Sequence, residues 1–190
     1  MNALVGVATS FGLSAAAGLN AYLPLLIVAL MARFTSLITL QPPYDVLTSW
    51  WAIGILAVLA IIEAVVDKVP AVDSVNDVIQ TAIRPAAGAV LFASNANLVS
   101  EMHPALALAC GLLIAGGVHA AKATVRPVAT GATAGLLNPV VSFVEDIVAV
   151  ITTVLAIVVP LLLVLVILLV TGFVLWWRRA GAHAKKVPTG

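Results

Sequence analysis

The chain has 190 residues, 63% of them hydrophobic and 9% charged, with a formal net charge of +1. A soluble domain carries about 25% charged residues, so this composition cannot clothe a water-facing surface and fits a chain whose solvent is lipid. No basic run is interleaved with aromatics, which sets nucleic acid aside as a partner, and the single cysteine, Cys110, can complete neither an internal disulfide nor a thiolate metal site.

The N-terminal "MNALVGVATSF" lacks the basic start of a cleaved signal peptide, so its apolar segment is expected to stay as a membrane helix. The run from Leu4 to Phe34 is about ten residues longer than the roughly 20 that a span needs. It contains "AAGLNAYLP", and Gly and Pro can break a membrane helix where neighbours satisfy the freed backbone. It reads as one strongly tilted helix or as two pieces broken near Gly18–Pro24, with Asn20 and Pro24 marking the break. Next, Pro42-Pro43 and Tyr44 suggest an interfacial turn, and Trp50 and Trp51 mark a membrane–water interface.

The second predicted span is Trp50–Val66, ended by Asp67-Lys68-Val69-Pro70. A third segment, Ser74–Ala96, starts polar and ends apolar, with Pro85 limiting where its apolar helix begins. After the loop "SNANLVSEMHP" comes a fourth span, Ala105–Ala121. The stretch "KATVRPVATGATAGLLNP" is too polar for lipid contact, and Thr130–Pro139 carries a second set of helix-break signals, ending at Pro139. "SFVE", Ser142 to Glu145, reads as a capping box opening the next helix.

The run Val140–Trp177 is nearly twice a span; either Pro160 kinks one oblique helix or a tight turn makes it two. Five or six spans follow, with six preferred. Trp176 and Trp177 then sit at an interface, and Arg178, Arg179, Lys185 and Lys186 form a basic tail that the positive-inside rule places in the cytoplasm. The expected organisation is one integral membrane domain, residues 1–177, and a basic cytoplasmic tail, residues 178–190. The N-terminus is then cytoplasmic with six spans and outside with five.

Two internal echoes suggest a weak duplication. "QTAIRPAAGA" (80–89) resembles "KATVRPVATGA" (122–132), with Asp77 and His119 each seven residues before an Arg; "AAGLNA" (16–21) resembles "AGGVHA" (115–120). A true duplication would make the halves an inverted repeat with a site between them.

The interior charges fall at helical spacing. Glu63 and Asp67 are one turn apart; Asp73, Asp77, Gln80 and Arg84 step by four, three and four. His119, Lys122 and Arg126 step by three and four, Ser142 and Asp146 by four, and Glu145 adjoins Asp146. Each set forms a polar stripe on an apolar helix. A charged residue at mid-bilayer costs about 2.5–3.5 kcal/mol on insertion scales, so acidic and basic stripes are expected to face each other or water. Two readings stand: the stripes line a pathway or binding cavity, or they lock helices together, with Asp67, Lys68 and Asp73 solvated at the surface.

Enzyme chemistry has little support. Asp73-x-x-x-Asp77 followed by Arg84-Pro85 resembles the diphosphate-binding motif of intramembrane aromatic prenyltransferases, but the second aspartate-rich motif and the larger chain are absent. His103, His119 and His183 are far apart and form no zinc pair. No catalytic residue, metal or cofactor is expected.

Taken together, "GLNAYLPLL", "EAVVDKVPAVDSVNDVIQTAIRPAAGA" and "HAAKATVRP…NPVVSFVEDIVAV" resemble an uncharacterised bacterial family of multi-pass membrane proteins, domain of unknown function family 4126. The resemblance covers about Phe11 to Pro160. It implies that Glu63, Asp67, Lys68, Pro70, Asp73, Asp77, Arg84 and Pro85 belong to the family's pattern, and it implies no activity.

The expectation is an all-α polytopic membrane bundle in a bacterial inner membrane, homo-oligomeric and in contact with lipid, acting as a transporter or channel. Its pathway would use Glu63, Asp67, Lys68, Asp73, Asp77, Arg84, His119, Lys122, Arg126, Glu145 and Asp146, with an ion or small anion as ligand. A non-transporting scaffold is the alternative, and a prenyl or lipid-headgroup enzyme the third.

Overall fold

The computed structural model describes residues 2–67, 70–95, 102–133 and 138–159, together with 166 and 169–171. Its elements are α1 (Asn2–Leu19), α2 (Tyr22–Phe34), a 3-10 turn (Tyr44–Thr48), α3 (Trp50–Val66), α4 (Pro70–Ser94), α5 (Pro104–Thr133) and α6 (Asn138–Val158). The protein is all-α, as its composition led us to expect. Among the described residues, two helices, within Pro104–Thr124 and Asn138–Val158, are long and apolar enough to cross a membrane by length and composition; α1, α2 and α3 supply shorter apolar stretches. Apart from 166 and 169–171, the residues from 160 onward that would resolve the last apolar run, and the basic tail, lie outside the described residues.

The helix ends have local causes. Ser49 Oγ accepts from Ala52 N–H and starts α3. Pro104 opens α5, where a missing N–H costs nothing because the first turn has no internal partner for it. The break between α1 and α2 belongs to Asn20: its Oδ1 accepts from Tyr22 N–H at 3.1 Å and Leu23 N–H at 2.9 Å. Pro24 falls in the first turn of α2, where its ring is tolerated. Of the two sequence readings, the broken helix is the one adopted.

The break also turns the chain back. Asn95, just past α4, donates through Nδ2 to Gly6 O and to Ser10 Oγ, both in α1. Asn95 also bridges Leu40, and Gln41 N–H donates to Ser94 O, so the segment following α2 reaches the same place. α1 therefore leaves from the end of the bundle to which α2 returns, and the tip at Leu19–Ala21 lies inside.

Small residues draw α1, α4 and α5 together. A Cβ on Gly18 would lie 2.6 Å from Ala115 O and from Val118 Cβ. Gly88 and Gly111 face one another so closely that a Cβ on either would strike the other's carbonyl oxygen. This is close packing of the small-residue kind, and Ser14 adds a hydrogen bond, Oγ to Gly88 O at 2.9 Å. The "AAAG" stretch ending at Gly18 behaves as its composition suggests; the side chains of "GATAG" (131–135) lie outside the described residues.

Three expectations are corrected. α4 runs through Pro85 instead of starting after it, so "VDSVNDVIQTAIRP" is the first half of a 25-residue helix. α5 extends to Thr133, making the polar "KATVRPVATGAT" helical. α6 begins at Asn138, so Ser142 lies within the helix and caps nothing. The internal echoes also disagree with each other. Phe92 packs in one cluster with Ala107, Gly88 meets Gly111 and Arg84 meets His119, so α4 and α5 run antiparallel; Gly18 meets Ala115 and Leu19 meets Lys122, so α1 and α5 run parallel. One inverted repeat cannot relate both pairs.

Long faces remain exposed and apolar. Ile55, Val58, Ile61, Ile62 and Val65 cover one side of α3, and Phe143, Val144, Ile147, Val148 and Ile151 cover one side of α6.

Candidate functional site

Along α4, Val78, Ile79, Thr81 and Ala82 are exposed, while Gln80 and Arg84 are buried and Asp77 is half-buried. The polar stripe thus turns inward. Arg84, fully buried, is its centre. Its Nη2 lies 3.2 Å from Glu63 Oε1 and 3.5 Å from Asp67 Oδ2; its Nη1 lies 3.8 Å from Asp77 Oδ1 and 3.1 Å from His119 Nδ1. Asp67 Oδ1 also accepts from Asn76 Nδ2 at 2.7 Å. Three helices, α3, α4 and α5, deliver these groups to one guanidinium.

The contacts settle the state of His119. A guanidinium has only donors, so Nδ1 must accept from Arg84. The imidazole is therefore neutral with its proton on Nε2, which donates to Thr81 Oγ1 at 3.2 Å. That hydroxyl spends its own hydrogen on Asp77 O at 2.9 Å. His119 orients Arg84 and adds no charge.

A second polar group sits at the break. Lys122 Nζ lies 2.8 Å from Glu145 Oε2 and donates to Leu19 O at 3.2 Å. Asn20 Nδ2 donates to Asp146 Oδ1 at 2.9 Å. On the other side, the backbone N–H groups of Ala21 and Tyr22 point at the Glu63 carboxylate, each at 3.5 Å. The sorting follows the helix dipole: an ammonium meets the C-terminal carbonyl of α1, and a carboxylate meets the N-terminal amides of α2.

The break thus joins the two charge groups into one layer. It lies about 15–20 Å along α3 and α4 from the end marked by Trp50 and Ser94, at 1.5 Å per residue. At that end, Arg33 stacks over Trp50 with Cζ 4.2 Å from the ring centroid.

Of the residues expected to form a pathway, Glu63, Asp67, Asp77, Arg84, His119, Lys122, Glu145 and Asp146 converge here. Lys68 and the side chains of Asp73 and Arg126 lie outside the described residues. Among the described residues, no group of three or more His, Cys, Asp or Glu is arranged to hold a metal ion. Asn95 and Ser14, which organise the helices around the layer, gave no charge or motif signal; Asn76 could have been found one turn ahead of Gln80 on the polar face of α4.

The arrangement defines an α-helical bundle with a buried charge layer at a helix break. The chain belongs to a family of unknown function, Domain of unknown function (DUF4126), whose model matches residues 7–180. The match takes in Arg178 and Arg179, so the family's pattern reaches further into the tail than the sequence resemblance suggested. No curated protein and no solved structure matches the chain.

Proposed function

We propose that this chain is a multi-pass membrane protein that passes a small ion or charged solute through the layer around Arg84 and Lys122. The observation that carries the proposal is the break at Leu19–Ala21: both freed helix ends lie inside an apolar bundle and face charged side chains. Discontinuous helices whose ends point at charged groups near the bilayer midplane form the binding sites of many transporters. The exposed faces of α3 and α6 would meet lipid or a second protomer. In this reading α1 and α2 dip in from one side, and the basic tail lies on the cytoplasmic side of a bacterial inner membrane.

The test is flux of protons and monovalent cations in liposomes, wild type against Asp77→Asn and Arg84→Gln, with folding checked by gel filtration. Flux lost in well-folded variants supports the pathway. A second reading, a scaffold whose charges only fix helix register, is favoured by the density of partners around Arg84. It predicts no flux and variants that are merely less stable.

A further inference from the structure

The end of the bundle away from the charge layer carries a cation that no acid holds. Among the described residues, Arg84 and Lys122 each meet carboxylates, whereas Arg33 pairs with none, Asp45 on the neighbouring turn included. Arg33 is exposed but fixed in place. Its Nη1 donates to Thr48 O at 2.6 Å, and its guanidinium lies over the Trp50 ring, with Cζ 4.2 Å from the centroid. A guanidinium carries several N–H donors in one plane. The stack and the single hydrogen bond set that plane and leave most of the donors to an outside partner.

The surroundings identify the partner. Phe34, Trp50 and Trp51 are 64%, 62% and 63% exposed, and Phe34 meets Trp50 edge to face at 5.9 Å. Leu37 and Val46, in the segments that flank these rings, are exposed too. Amphipathic rings of this kind collect at headgroup level in a bilayer. The depth agrees. Arg33 lies about 16 Å along α2 from Tyr22, beside the break, at 1.5 Å per residue. Half of a roughly 30 Å hydrocarbon core is about 15 Å. With the charge layer near the midplane, Arg33 and Trp50 fall where the lipid phosphates begin. A phosphate takes two parallel donors from one arginine, and arginine also stacks on aromatic faces.

We infer that Arg33, held by Trp50 and Thr48, binds the phosphate of one anionic phospholipid, with Phe34, Trp50 and Trp51 against the upper part of that lipid's chains. The inference rests on the membrane part of the proposed function and needs no transport.

The test reads lipid contact at this end alone. Full-length protein carrying Trp176→Phe and Trp177→Phe keeps Trp50 and Trp51 as its reporters. It is placed in bilayers of phosphatidylcholine and phosphatidylglycerol, with one lipid at a time brominated close to the headgroup, and quenching of tryptophan emission is measured. Phosphatidylglycerol should be held about fivefold more tightly than phosphatidylcholine, the factor equivalent to about 1 kcal/mol for a basic residue at an anionic surface. Arg33→Gln and Arg33→Met, both exposed changes checked by gel filtration, should abolish the preference. Inorganic phosphate should leave it intact; loss of the preference at millimolar phosphate would mean a free-anion site and overturn the lipid assignment. A preference unchanged in the Arg33 variants overturns the inference. Equal quenching by the two lipids in the parent protein also overturns it and leaves the membrane reading standing, whereas no quenching by either removes both.

Discussion

His119 accepts a hydrogen bond from Arg84 at 3.1 Å, and that direction of donation fixes the imidazole as the neutral Nε2–H tautomer. Nitrogen-15 spectra of histidine-labelled protein at neutral pH should therefore show one ring with that tautomer and no imidazolium signature. Replacing His119 with leucine strands one buried Arg84 donor, and should destabilise by about 1–3 kcal/mol, read as a lower melting midpoint.

The glycines divide sharply. Alanine at Gly88 or Gly111 would meet backbone atoms of the facing helix, which cannot swing aside as a side chain can. The loss should reach or exceed the roughly 1–3 kcal/mol typical of overpacking. Alanine at Gly117, where a Cβ meets nothing within 4 Å, should stabilise by up to about 1 kcal/mol through helix propensity. Melting of the three variants side by side checks both signs.

Asn20 has two jobs that substitutions separate. Asn20→Ala removes the cap on α2 and should cost about 0.5–2 kcal/mol. Asn20→Asp keeps the cap but sets a carboxylate against Asp146, now 2.9 Å from the amide nitrogen. Aspartate should therefore be the worse of the two, the reverse of the order at an ordinary helix start. A repeat in Asp146→Asn background should restore the ordinary order.

Ser142 is fully buried, and its hydroxyl has no partner. Ser142→Ala removes an unsatisfied group and should leave stability unchanged or raise it by about 1 kcal/mol. A capping serine would lose stability, so the melting shift distinguishes the two roles directly.

Much of this was legible in the residues themselves. Trp50–Val66 is a helix over the expected range, because Ser49 and the tryptophans define its start and Asp67 its end. The inward stripe followed from the spacing of Asp77, Gln80 and Arg84, since three- and four-residue steps can only build one face. Pro85 misled because proline stops helices in water, whereas in a packed apolar bundle neighbours can satisfy the freed backbone. Ser142 misled because its motif describes a helix start that Asn138 already provides four residues earlier. The meetings of Asn20 with Asp146 and of Asn95 with Ser10 were out of reach, since they join positions 126 and 85 residues apart and nothing local encodes them.

The clasp at Asn95 also sets an order of assembly. α1 and α2 precede α4, α5 and α6 along the chain, and α2 has 13 residues, about 20 Å of helix. The groups that hold this hairpin, Asn95 for its base and Lys122, Glu145 and Asp146 for its tip, are made later. The contacts that hold this hairpin in the native bundle can therefore form only once α4, α5 and α6 have been made.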